Sequence, residues 1–185
     1  MTTYLSPVTK PTSQLMRIMF AVSRKMFGLV PGPFSVFSTR MPFAFLSFFG
    51  KVSRLDKKLT LPHDLVVLVR ERVASINMCT WCMDAQQWYV RKRTPEMIPK
   101  LDALPDYTTS PMFSSAERAA LDYASELTEQ KRVSRKVFER VAEQFDERQI
   151  CELSWLVSSE HLYNINNLGL GIESDGLCEV KPAST

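Results

Sequence analysis

The chain has 185 residues, 45% of them hydrophobic and 23% charged, with no low-complexity tract. That is enough for one domain with a well-buried core, and it excludes a disordered or fibrous protein. The net charge of +3 is unevenly spread, with nine Lys or Arg up to Lys58 against Asp56 alone, so the remainder is net acidic. Such a basic, aromatic-rich first third suits an anionic membrane surface or an acidic partner, and equally the chain's own acidic remainder or a neighbouring subunit.

Residues up to Pro11 read as a flexible lead-in. From Ser13 to Phe27, Leu15, Ile18, Met19, Val22 and Met26 recur at helical spacing, and Gly28 is a natural stop. LVPGPF breaks the chain, and an aromatic-rich helical region follows from about Pro42 to Leu55. The longest apolar run, MPFAFLSFFG from Met41 to Gly50, is about half the length needed to cross a bilayer. With no charged-then-apolar leader and cleavage site at the start, the expected location is cytoplasmic.

Pro62 opens a helix with Leu65, Val66, Val69, Val73 and Ile76 on one broad face, running into NMCTWCMDAQQ. A further helix is expected from the cysteines through Arg91, and a short one from Thr94-Pro95-Glu96. Residues 102–113 read as an irregular connection. Ser114 and Glu117 then form a capping box, followed by a stripe of Ala116, Ala119, Ala120, Tyr123, Ala124 and Leu127. Val133 to Phe145 predicts another helix. Asp146 and Gln149 cap a long one to about Leu168, and a glycine-punctuated irregular tail follows. No alternating β-branched run is present, so the class is all-α.

Two of the four cysteines stand as C-x-x-C, Cys79 and Cys82. On a helix the two sulfurs are neighbours, and near its first turn the unpaired N–H groups favour thiolate. A thiolate attacks peroxide or disulfide sulfur, and its neighbour closes a disulfide. A zinc site is the weaker reading, because Cys151, Cys178, His63 and His161 form no second C-x-x-C and no H-x-x-x-H. No metal and no cofactor is therefore expected. His161, beside Glu160 on an apolar helix side, reads first as a core histidine and second as a proton relay. His63 reads as a surface residue, Cys151 as a small buried one, and the three tryptophans as core or interface aromatics. Cys178 is open to either a free or a paired state.

Leu61 to Trp88, with Arg72, Val73, Asn77, Cys79 and Cys82 in an R-V-x-x-x-N-x-C-x-x-C arrangement, resembles the core of the carboxymuconolactone decarboxylase and AhpD-like superfamily. Phe113 to Thr128 and Phe145 to Cys178 resemble its downstream region. The resemblance implies an AhpD-like helical bundle over residues 61–178; the expected division of the chain adds a basic, aromatic-rich helical extension over 1–60 packed on that core and a tail over 179–185. It also implies a homo-oligomer (dimer, trimer or hexamer). In the family's peroxidases the second cysteine attacks hydroperoxide and the first resolves it. Cys82 is then the peroxidatic thiol and Cys79 the resolving one.

The family's relay glutamate, twelve residues before the first cysteine, is replaced by Val67. Its histidine, four after the second, is replaced by Gln86. Gln86 can hydrogen-bond but cannot move a proton at neutral pH. Glu71, one turn beyond Val67, is the first substitute base, followed by Glu160 and His161. The expected function is a thiol-dependent peroxidase or disulfide oxidoreductase, acting on a small hydroperoxide or disulfide with a thiol reductant and no nucleic acid. The alternative is a non-catalytic helical binding or assembly protein with structural cysteines.

Overall fold

Helix α3 (His63–Ile76) is the hub of a computed structural model that describes residues 3–179. Most of the expected tail, residues 180–185, lies outside the described residues. Leu65, Val69 and Val73 on α3 meet Ala119, Ala120 and Ala124 of α6 (Ser115–Gln130) and Leu153, Leu156 and Val157 of α8 (Glu147–Gly169). The alanines let the α6 backbone come close. Each fully buried Leu or Val contributes about 1.5–3 kcal/mol, so this three-helix seam is the main source of stability.

The other side of α3 presents Val67 and Leu68 to a second cluster. It includes Val90 of α4 (Thr80–Arg93), Leu101 of the short α5 (Ile98–Asp102), and Phe113. Helix α7 (Arg135–Ala142) packs against α6 and α8. Both expected capping boxes are present. Ser114 Oγ accepts from the Glu117 N–H while the Glu117 carboxylate accepts from the Ser114 N–H, and Asp146 pairs in the same way with Gln149. No strand occurs among the described residues, and no helix among them is long and apolar enough to cross a membrane.

The basic first third departs from its sequence reading at the lead-in, and it resolves which side of the first helix is buried. The lead-in is anchored: the Tyr4 N–H donates to Leu170 O at 3.1 Å, the Val8 N–H to Ser35 O at 2.9 Å, and Arg40 to Ser6 O at 2.9 Å. These bonds satisfy an extended backbone that has no helix of its own. Helix α1 (Gln14–Phe27) forms as expected and stops at Gly28, which is left-handed with φ 81°. Its inward face, however, is Met16, Phe20 and Ser23, while Leu15, Ile18, Val22 and Met26 are exposed. Apolar residues occupy two adjoining sides of this helix, and helical spacing cannot say which one faces the core.

Beyond α1 the chain makes two short, wide π-type turns, Phe34–Ser38 and Ala44–Phe49, before α2 (Gly50–Asp56). They stack Phe34, Phe37, Phe45 and Phe49 against one another, with Phe45 and Phe49 rings 4.7 Å apart. Gly32 leads into them. A Cβ there would meet Ile172 Cγ2 at 2.8 Å, so only glycine permits this approach.

Candidate active site

The turn between α3 and α4 places the cysteines. The N–H of Met78 donates to Ser75 O at 3.1 Å and that of Cys79 to Ala74 O at 3.0 Å. Together they are the paired closing bonds that end a helix through a left-handed residue. Met78 takes that conformation, φ 56°, where glycine is usual. The chain reverses so sharply that Cys79 becomes the N-cap of α4 and Cys82 lies in its first turn. The two are joined by a disulfide. Cys79 is fully buried, while Cys82 opens onto a cavity of about 460 Å³.

Helix periodicity assembles the walls. On α4, Cys82, Gln86 and Tyr89 follow at i, i+4 and i+7, with Trp81 and Ala85 beside them. On α8, Glu160, Tyr163 and Asn167 share the facing side. The remaining wall comes from the first third of the chain: Pro33, Phe34, Phe45, Phe49 and Ser53. Asn167 Nδ2 donates to Cys82 Sγ at 3.4 Å and stands 4.0 Å from Cys79 Sγ. Asp175 ties the walls together, accepting from Trp81 Nε1 at 2.7 Å and from the Gly32 N–H at 2.8 Å.

Behind the cavity runs a buried polar chain. Glu160 Oε2 accepts from Arg70 at 2.8 Å, and Arg70 also donates to Asp56 at 2.7 Å. Glu160 Oε1 accepts from Asn164 Nδ2 at 2.7 Å, and Asn164 Oδ1 accepts from Asn77 Nδ2 at 2.9 Å. Asn77 Nδ2 also lies 3.2 Å from His161 Nδ1. Burial pushes the Glu160 carboxyl up, against the pull of Arg70 and Asn164 toward the charged form. Burial lowers His161, keeping its ring neutral. Glu71 is raised to about 7, chiefly by burial, with the Gln87 hydrogen bond opposing and the Glu160 charge adding. Its Oε2 is buried with no partner among the described residues.

No family model matches the chain. It is 33% identical over 160 residues to the uncharacterized protein YnjA of Escherichia coli (strain K12), covering 85% of this chain and 86% of that one. It is 27% identical over 122 residues to the uncharacterized protein YdfG of Bacillus subtilis (strain 168), covering 65% and 82%. Among solved structures, the alkylhydroperoxidase AhpD core protein of Ralstonia eutropha JMP134 superposes with a TM-score of 0.75, covering 99% of this chain and 98% of that one at 19% identity. A peroxidase-related protein from Silicibacter sp. TM1040 gives 0.74, covering 92% and 90% at 19% identity. A cysteine-to-alanine variant of the debrominase Bmp8, in complex with 2,3,4-tribromopyrrole, gives 0.77, covering 94% and 92% at 17% identity. The chain belongs to the family of YnjA, and it shares its fold with the AhpD-like structures.

Within this AhpD-like bundle the expected site residues separate. Cys82, Gln86 and Glu160 line the cavity, and Cys79 lies directly beneath as the disulfide partner. Glu71 and His161 are not in the wall. Glu71 accepts at 3.3 Å from Nε2 of Gln87, which is itself outside the wall, and His161 is turned toward Asn77. Val67 sits in apolar packing, so a carboxylate there would have no hydrogen-bonding surroundings. Cys151, expected to be buried, is exposed and free because α8 turns it outward, and Cys178, beyond α8, is likewise exposed and free. His63 is at the surface, 3.3 Å from Tyr89 Oη. Sequence reasoning missed Asn167, Asn164, Arg70 and the phenylalanine wall. A signal was present in YNINN, since asparagines are poor helix formers, and Asn164 and Asn167 are nonetheless buried in the last two turns of α8.

Proposed function

We propose that the protein is a thiol-dependent oxidoreductase in which Cys82 is the attacking thiol and Cys79 the resolving one. One observation carries this reading: the Cys79–Cys82 disulfide meets the outside through a cavity reached by Cys82 alone of the pair. In the reduced protein the first turn of α4 and the Asn167 amide favour a Cys82 thiolate. The thiolate attacks the distal oxygen of a hydroperoxide ROOH. An S–O bond forms, the O–O bond breaks, and the leaving alkoxide takes a proton to become ROH. Cys79 then attacks the Cys82 sulfenic acid, forming the disulfide and releasing water. An external dithiol restores both thiols by exchange, so one ROOH and one dithiol give ROH, water and a disulfide.

Glu160, the carboxylate in the cavity wall, takes over the relay that Val67 and Gln86 cannot perform: it accepts the proton of the Cys82 thiol and returns it to the leaving alkoxide. The aromatic wall, and the name debrominase carried by the Bmp8 fold neighbour, favour a second reading on the same dithiol: a bromoarene ArBr and the two thiols give ArH, bromide and a proton, and the Cys79–Cys82 disulfide. The test is hydroperoxide consumption with dithiothreitol by the wild type, Cys82→Ser and Cys79→Ser, with a brominated pyrrole as parallel substrate. The expected result is turnover lost in both variants and sulfenic acid trapped in Cys79→Ser. Equal background rates in all three on both substrates would refute it.

A further inference from the structure

We propose that the cavity above Cys82 takes an uncharged aromatic molecule, and that Phe34, Phe45 and Phe49, supplied by the first third of the chain, are its specificity residues. This rests on the Cys82 cavity being the substrate site, and it is independent of which bond the dithiol reduces. The rings form one continuous surface. Phe34 meets Phe45 edge-on at 5.0 Å and 71°, Phe45 stacks on Phe49 at 4.7 Å and 24°, and Phe49 meets Tyr163 at 4.9 Å and 46°. Trp81 and Tyr89 complete the enclosure. Such a wall offers both faces and edges, so a bound ring gains offset-stacked and edge-to-face contacts that an aliphatic chain of equal area cannot make.

Charge selects further. Among the described residues no Lys or Arg lines the cavity, so an anion would be buried without a counter-ion beside Glu160. A cation would find the aromatic faces, but Glu160 already accepts from both Arg70 and Asn164 and has little charge left to offer. Besides Glu160, the polar side chains of the lining are uncharged, among them the amides of Gln86, Asn166 and Asn167 and the hydroxyls of Ser53 and Tyr163. They suit a neutral heteroatom held next to the Cys82 sulfur, where Asn167 already donates. The cavity volume of about 460 Å³ falls in the range of small-molecule sites, roughly 300–1,000 Å³.

The position of this wall is set by the Asp175 bridge and by Gly32, which together hold the segment carrying Phe34 against α4. The first third of the chain is therefore what gives the dithiol its substrate.

The test is calorimetric titration with 1-naphthol, 1-naphthoate, 1-naphthylmethylammonium and 1-decanol. The protein is the full-length Cys79→Ser/Cys82→Ser variant, so that no redox step contributes. Binding of 1-naphthol, with at least about tenfold weaker binding of the two charged analogues and of decanol, supports the proposal. Phe34→Leu and Phe45→Leu, which keep apolar volume and remove a ring, should each weaken 1-naphthol by roughly two- to tenfold. Thermal melts check that both variants fold, and Phe49→Leu replaces either one that does not. No 1-naphthol binding, equal binding of a charged analogue or decanol, or wild-type affinity in the folded Leu variants overturns it. If 1-naphthol binds selectively while the wild type turns over neither hydroperoxide nor brominated pyrrole, the ligand assignment stands and the redox reading fails.

Discussion

Replacing Glu71 with glutamine should change the pH dependence of stability more than stability itself. Glu71 is 5% exposed, its Oε1 takes one amide hydrogen bond from Gln87, and its Oε2 has none among the described residues. Burial raises its carboxyl from 4.5 to about 7. Between these values the folded protein keeps a proton that the unfolded chain releases. The contribution is therefore fully present below pH 4.5 and lost as pH rises through 7. At roughly 1.4 kcal/mol per pH unit the full loss is about 3 kcal/mol, of which roughly 2–3 falls between about pH 5 and pH 8. The glutamine in Glu71→Gln cannot ionise, and any fixed cost of its buried amide cancels when two pH values are compared. Urea unfolding of both proteins at several pH values from about 5 to 8 should show the variant gaining on the wild type by about that amount. A difference that stays constant within about 0.5 kcal/mol across the series would show that Glu71 is not a buried, proton-holding group.

Glu160→Gln keeps the shape of the cavity wall but removes the proton relay, so turnover of hydroperoxide by the reduced protein should fall by about 10²–10⁴-fold in kcat; a loss below about threefold assigns the relay to another group. Asn167→Leu removes an amide donor at 3.4 Å from Cys82 Sγ. Such a bond to a charged sulfur contributes about 1.5–3 kcal/mol, so iodoacetamide alkylation of reduced Cys82 near neutral pH should slow by roughly tenfold or more, read by intact mass. Gly32→Ala forces a methyl against Ile172 Cγ2 and should destabilise the fold by about 1–3 kcal/mol in urea, with a shifted Trp81 fluorescence as the Asp175 bridge moves; an unchanged midpoint would contradict the close packing.

Much of the bundle was legible because its signals are local. Apolar spacing along α3, α6 and α8 places one side of each helix in the core, and Ser114/Glu117 and Asp146/Gln149 satisfy backbone donors within a single turn. The dithiol was legible for the same reason, since three residues on a helix are one turn apart and Cys79 and Cys82 have to meet. Helix α1 shows the limit. Its existence and its stop at Gly28 follow from spacing and from the glycine, but spacing does not say which side is buried, and Leu15, Ile18, Val22 and Met26 turn out to be exposed.

The surroundings of the dithiol were decided only by tertiary structure. Asn167 reaches the sulfurs from a position 85 residues beyond Cys82, and Asp175 holds Trp81 and Gly32 from across 94 and 143 residues. In sequence Glu71 is the first candidate base and Glu160 the next, yet packing puts Glu160 in the cavity wall and Glu71 outside it, bonded to Gln87. By itself the sequence determined the helices, their caps and the cysteine pair, because those depend on neighbours within a turn. Which carboxylate faces the sulfur, and which phenylalanines enclose it, depends on how distant segments share one small volume, and only the folded chain decides that.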